Sequence, residues 1–272
     1  MSLKNKTIAF LGAGNMGEAL IRGLLAAKTV APSQIIATDV RAERLEEFKR
    51  TFGIRVADDN AKAVAEADVV LLAVKPQQMS VVLGALKVAV GKHPLFISIA
   101  AGVTTGRIES ELGGRARVVR VMPNTPALVG AGAAALAKGA HATDDDLTTA
   151  EVILGAVGIT VRVEEKLIDA VTALSGSGPA YIFYVTEAMI KAGVAAGLDE
   201  ALARKLAVQT VYGAGKLLAE SGEEPEALRR KVTSPGGTTE AALKVMSERR
   251  LAEIFAEAIR AAEQRSRELS GS

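Results

Sequence analysis

Through the first three-fifths of the chain, short apolar runs alternate with stretches of helical periodicity. Thr7-Ile-Ala-Phe-Leu11 reads as a buried strand, and Met16–Lys28 as a helix with Leu20, Leu24 and Leu25 on one face. Ile35–Thr38 predicts a second strand, followed by a charged helix from Ala42 to Thr51. Ile54–Val56 is a short third strand and Asn60–Glu66 a helix. Val69–Val74 is apolar on both faces, as an interior strand of a parallel sheet should be. Leu95–Ile99 and Arg117–Val121 follow at similar intervals. Strands alternating with helices imply a mainly parallel sheet covered on both sides.

After about Arg162 only helical periodicity remains, over Leu167–Leu174, Ala180–Ala196, Asp199–Glu220, Pro225–Val232, Thr238–Arg249 and Leu251–Leu269. Asp199 and Thr238 are candidate N-caps, and Pro225 suits a first helical turn. The expected organisation is therefore an α/β domain over 1–165 and an all-α domain over 166–272.

Composition narrows the chemistry. Lys plus Arg is 33 and Asp plus Glu is 31 in 272 residues, a net charge of +2. That balance gives no basic field for nucleic acid and no polybasic membrane patch. There is no Cys, so thiolate nucleophiles and Cys-ligated metal sites are excluded. His93 and His141 stand alone, outside any metal-binding spacing. The uncharged runs Val121–Ala137 and Ala170–Thr186 fall short of the roughly 20 apolar residues of a membrane span. The chain starts almost directly into a strand, without a signal-type segment, and a cytoplasmic protein is expected.

Gly12-Ala13-Gly14-Asn15-Met16-Gly17 lies between the first strand and the first helix. Gly12 permits a tight turn, Gly14 a close approach of a pyrophosphate, and Gly17 helix–strand packing. Asp39 follows the second strand, 22 residues past Gly17, where ribose contacts are made in such folds. These features point to dinucleotide binding in a Rossmann-like, doubly wound domain. Asp39 alone would favour NADH, whereas Arg41 and Arg44 offer guanidinium forks for a 2′-phosphate. NADPH is the expected cofactor, with NADH as the alternative.

Several further segments together resemble pyrroline-5-carboxylate reductase. They are Asn60 with Ala67–Pro76, Ser98–Gly102, Arg120–Pro126, Leu174-Ser-Gly-Ser-Gly-Pro-Ala-Tyr181 and Val232-Thr-Ser-Pro-Gly-Gly-Thr-Thr239. The likeness runs from about residue 6 to about 265, and the last segment looks like the family signature. The resemblance implies an all-α C-terminal dimerisation domain and a homodimer, or an assembly of such dimers. It also implies reduction of 1-pyrroline-5-carboxylate to L-proline, the last step of proline biosynthesis. Carried over, Ala73, Val74, Lys75 and Pro76 with Ala100, Ala101 and Gly102 border the dinucleotide, and Asn60 lies on its adenosine side. Some family members place an acidic side chain near the imine nitrogen shortly before the signature; the alignable position here is Gly222, so Glu220, Glu223 and Glu224 receive no role.

An iminium already carries its proton, so its reduction needs orientation and charge placement more than a strong acid. Ser234-Pro-Gly236-Gly237-Thr238-Thr239 reads equally as a plain helix entry with a capping Thr and as an anion site; the resemblance implies the latter, suited to a carboxylate, with Thr239 and Ser234 the candidate catalytic hydroxyls. Ser177 is a further candidate substrate contact, although its loop reads equally as a plain helix entry. One rival, a β-hydroxyacid dehydrogenase, would carry Lys where Ile182 stands. The other rival is a dinucleotide-binding regulatory protein without turnover, against which the retained Ser234–Thr239 loop argues.

Overall fold

The computed structural model describes residues 3–86 and 93–271. By internal contacts the chain divides into two compact units, residues 1–177 with 262–272, and residues 178–261.

The first unit is built on one sheet. Its strands are β1 (Ile8–Leu11), β2 (Ile35–Thr38), β3 (Arg55–Val56), β4 (Val69–Leu72), β5 (Leu95–Ser98), β6 (Arg117–Met122), β7 (Gly132–Lys138) and β8 (Gly158–Arg162). They lie in the order β3-β2-β1-β4-β5-β6-β7-β8. Every pairing is parallel except β6 with β7, where Val121 faces Leu136. The helices α1 (Asn15–Ala26), α2 (Ala42–Phe52), α3 (Asn60–Glu66), α4 (Met79–Leu86), α5 (Thr105–Glu111), α6 (Asp144–Leu154) and α7 (Ile168–Val171) connect or follow them. The strand order reverses at β1, which pairs with β2 on one side and β4 on the other. In open α/β sheets the crevice at the carboxyl ends of such strands is the ligand site.

Alternation along the strands divides the core between two faces. Ile8 and Phe10 pack with Leu20, Leu24 and Phe48 on one. Ala9 and Leu11 pack with Val70, Leu83, Phe96 and Ile108 on the other. Both sides of the central strands are closed within the chain, where Phe10, Phe48 and Phe96 are wholly buried, whereas edge strand β8 leaves Ile159 and Val161 exposed.

The expected strands are present, several of them shortened by one or two residues. β7 and β8, with α4, α5 and α6, were not legible as elements. The expected helix over Leu167–Leu174 is instead a 3₁₀ turn (Glu165–Leu167), the single turn α7, and a π turn (Thr172–Gly176).

The second unit holds α8 (Gly178–Ala195), α9 (Glu200–Ser221), α10 (Pro225–Lys231) and α11 (Thr238–Glu248), with the first half of α12 (Leu251–Ser270). Asp199 caps α9 by accepting the Leu202 N–H, and Pro225 occupies the first turn of α10. Thr238 is not an N-cap: Gly237 holds that position and Thr238 is the first helical residue. In this single chain, α8, α10 and α11 bury no residue, and α9 buries only Ala203 and Ala207.

Candidate active site

β1 ends at Leu11 and α1 begins at Asn15, so the chain must reverse within three residues. Gly12 does this at φ +104°, and a Cβ there would stand 2.7 Å from the Ala73 carbonyl oxygen. Only glycine fits that approach of the turn to the end of β4. A Cβ on Gly17 would lie 2.9 Å from the Gly12 carbonyl oxygen, so the helix also touches the turn backbone to backbone. Gly14 differs: nothing lies within 4 Å of its Cβ position. It is the N-cap of α1 and supplies no capping side chain, which leaves the first-turn amides at Asn15 and Met16 for an incoming anion. An open approach over an uncapped helix end, at the switch point of the sheet, fits a dinucleotide pyrophosphate.

Asp39 follows β2 directly and reaches back to the same turn. Its Oδ2 accepts the Ala13 N–H at 2.9 Å, and its Oδ1 accepts the Arg41 backbone N–H at 3.0 Å. The Arg41 guanidinium grips the carboxylate through Nε at 3.0 Å and Nη2 at 3.2 Å. Burial opposes ionisation of Asp39, but the hydrogen bonds from Arg41 and the Ala13 amide outweigh it and hold the carboxyl below its ordinary range. Arg44 does not share this role. Its Nε donates to the Ala13 carbonyl at 3.0 Å, its other nitrogens bind Glu18 and Glu47, and its guanidinium lies 4.5 Å from the centre of the Phe48 ring. The sequence offered Arg44 for a 2′-phosphate, but the structure uses it to tie α2 to α1.

Asn60 opens α3 and accepts the Thr38 hydroxyl at 2.6 Å, beside the end of β2. Ala73 and Val74 follow β4, and exposed Lys75 caps a 3₁₀ turn that starts at Pro76. Ala100, Ala101 and Gly102 follow β5, with Ala100 buried and Ala101 exposed. These segments share the carboxyl edge of β1, β2, β4 and β5, the edge that also carries the glycine turn. Gly102 has an additional reason for being glycine: a Cβ would approach the Leu269 carbonyl oxygen of α12 at 3.2 Å.

The Ser175–Ser177 loop closes the π turn, with the Ser177 N–H donating to the Thr172 carbonyl at 2.8 Å. Asn124 holds it from the side. Its Nδ2 donates to the Ser175 carbonyl and hydroxyl oxygens at 3.3 Å each, and its Oδ1 accepts the Ala133 N–H at 2.9 Å. Within the Arg120–Pro126 segment that carries part of the resemblance, Asn124 is thus a strut between β7 and the serine loop.

The signature loop belongs to the helical unit. Gly236 lies at φ +71°, and the Gly237 N–H donates to the Ser234 carbonyl at 3.0 Å. The turn delivers the chain into α11 with no capping side chain, so the first-turn amides at Thr238 and Thr239 meet no acceptor from the N-cap. Ser234 and Thr238 are exposed, and Thr239 is half-buried. One amide of this loop is already engaged, because the Gly236 N–H donates to Glu240 Oε2 at 2.7 Å. Gly222, where the resemblance alone suggested an acidic side chain in other family members, is the left-handed C-cap of α9 at φ +67° and brings no side chain.

Comparison with known proteins agrees over nearly the whole chain. Pyrroline-5-carboxylate reductase of Methanosarcina acetivorans is 46% identical over 267 residues, covering 98% of this chain and 99% of its own. The chain belongs to the pyrroline-5-carboxylate reductase family. Residues 165–269 match the pyrroline-5-carboxylate reductase dimerisation family, and residues 7–102 match a family described as NADP oxidoreductase, coenzyme F420-dependent. Among solved structures, the reductase of Coxiella burnetii superposes with a TM-score of 0.93 at 43% identity, covering 97% of this chain and 98% of that one. The Plasmodium falciparum reductase, solved with NADP bound, gives 0.85 at 29% identity, with 98% of each chain covered. Against this reductase background, Glu240 is a site-region residue that sequence reasoning missed, and Asn124 lay within the resembling Arg120–Pro126 segment without being given a role of its own. A Glu three residues into a helix carries no distinctive pattern.

Proposed function

We propose that the protein reduces 1-pyrroline-5-carboxylate to L-proline with NAD(P)H, as the last step of proline biosynthesis. The observation that carries this reading is the Ser234–Thr239 loop, an uncapped glycine turn at the start of an 11-residue helix, in a chain of this reductase family. The nicotinamide, when bound, supplies the hydride. In this reading the amides at Asn15 and Met16 hold the pyrophosphate, and Asn60, Ala73–Pro76 and Ala100–Gly102 border the rest of the dinucleotide. The amides at Thr238 and Thr239 hold the substrate carboxylate together with the Ser234 hydroxyl, and Ser177 is a further substrate-binding candidate. Thr239 Oγ accepts from the protonated ring nitrogen and later donates to the neutral amine. The substrate arrives as the iminium, so the protein needs no acid to deliver a proton before the hydride.

NADPH is the preferred cofactor in this proposal. Arg41 neutralises Asp39, the group that would repel a 2′-phosphate, and the Arg41 side chain remains 58% exposed and able to swing to a second anion. The protein forms a homo-oligomer through its dimerisation region, and we place the homodimer contact on the helices of residues 178–261. Among the described residues no helix is long and apolar enough to cross a membrane, and the cytoplasm is the compartment we propose.

The test is oxidation of NADPH and NADH in the presence of 1-pyrroline-5-carboxylate, with L-proline measured as product. Consumption of neither cofactor across a range of pH would sink the enzymatic reading in favour of a non-catalytic dinucleotide-binding protein.

A further inference from the structure

The loop assigned to the substrate carboxylate already holds a carboxylate of the chain's own. Glu240 is the third residue of α11, and its side chain folds back over the turn to accept the Gly236 N–H at 2.7 Å. A third-position Glu commonly reaches back to the N-cap amide. Here it reaches one residue further, to Gly236 at φ +71°, because the Gly237 amide is taken by the Ser234 carbonyl. The positive end of the helix dipole favours a negative charge in this place. An arriving carboxylate is drawn by the same dipole and by amides beside the one that Glu240 occupies. Two unit charges about 4 Å apart repel by more than the thermal energy even in bulk water.

Resting on the functional reading above, we propose that Glu240 sets the affinity of the loop for the imine acid: its carboxylate is an internal competitor for the anion loop. A ligand carboxylate must displace it or bind against its charge, so Glu240 weakens the affinity for substrate and product alike. A neutral side chain of the same shape relieves that competition while still offering Gly236 an acceptor oxygen.

The experiment compares the full-length wild-type protein with Glu240→Gln in steady-state reduction of 1-pyrroline-5-carboxylate. The KM for the imine is expected to fall about threefold to tenfold, and inhibition by L-proline to tighten by a similar factor, while the KM for NADPH stays within about twofold. A folded Glu240→Gln protein with an unchanged or raised KM for the imine overturns the proposal and makes Glu240 a loop cap. If that variant does not melt cooperatively, Glu240→Ala is measured instead. It removes both the charge and the acceptor for Gly236: a lowered KM supports the proposal and an equal or raised one overturns it. A wild-type protein inactive on the imine sinks the functional reading itself, and this proposal with it; that result is seen before any variant is compared.

Discussion

The two units of this chain solve the problem of burying apolar surface differently. The sheet unit does so largely internally: both faces of its central strands are covered by its own helices and its largest apolar side chains are wholly buried, with Ile159 and Val161 of edge strand β8 left exposed. The helical unit does not. Phe183, Tyr184, Leu206 and Tyr212 lie between 51% and 73% exposed on helices that bury almost nothing within the chain. Monomeric proteins rarely expose contiguous apolar surface on this scale. The sheet unit therefore carries its own stability, and the helical unit must obtain most of its stability from a second subunit. The contrast also divides the chemistry: the dinucleotide turn sits on the self-sufficient unit and the signature loop on the dependent one.

The largest expected effect is in the sheet core. Phe10→Ala removes a fully buried ring from β1, and such truncations cost about 3–5 kcal/mol. Denaturant unfolding should show that loss at every protein concentration, because no partner is involved. In the helical unit the expected response is the reverse. Leu206→Asp combined with Tyr212→Asp leaves the internal packing of one chain nearly intact but places charge on the exposed apolar face. Light scattering should then report a monomer at micromolar concentration, with turnover of the imine lost. A double variant that remains a fully active oligomer would mean that these helices do not form the interface.

How legible the chain was follows the same division. Strands β1, β2 and β4 were readable because each is a short run that is apolar apart from Thr38 at the end of β2, as interior parallel strands require. β7 was not. Gly132-Ala-Ala-Ala-Leu-Ala-Lys138 is rich in a helix-favouring residue, and pairing with β6 and β8 decides its conformation against local preference. The π turn at Thr172–Gly176 was likewise hidden, since Leu167–Leu174 has ordinary helical spacing and only the tertiary setting, including the Asn124 strut, resolves it. At the dinucleotide turn the glycines announced themselves. Arg44 looked as available as Arg41 until its bonds to Glu18, Glu47 and Ala13 were seen. A sequence shows which residues can grip an anion, but not which have already gripped something else.

Two substitutions at the sites separate the units by function. Thr239→Val keeps the branched shape, removes the hydroxyl, and acts in the helical unit. Loss of a hydrogen bond to a charged group should lower kcat/KM for the imine about tenfold to a hundredfold, with little change in the KM for NADPH. Near-wild-type kcat/KM in that variant, with collapse in Ser234→Ala, would transfer the role to Ser234. Arg41→Ala acts in the sheet unit, where the expected effect is smaller because the guanidinium is exposed. The KM for NADPH should rise about tenfold and that for NADH much less, since only the 2′-phosphate loses a partner. Equal changes for both cofactors would remove Arg41 from cofactor choice.

The smallest expected effect is on acid stability, and it too belongs to the sheet unit. Glu18, Asp39 and Glu151 are each held below the ordinary carboxylate range. The causes differ in balance. Hydrogen bonds from Arg44 to Glu18 and from Arg162 to Glu151 dominate, whereas for Asp39 the bonds from Arg41 and Ala13 prevail against burial. A carboxyl with a depressed folded-state pKa stabilises the fold at pH values above its unfolded pKa, 3.8 for Asp39. That contribution is lost as the pH falls from there through the folded-state value, because the unfolded chain takes up the proton first. Asp39→Asn should therefore lower stability at neutral pH and flatten its further decline below about pH 4, as read by thermal melting at a series of pH values. Parallel melting curves for the two proteins across that acid range would show that Asp39 is ionised as readily in the unfolded chain as in the turn, and that Arg41 and Ala13 contribute no net preference for its charge.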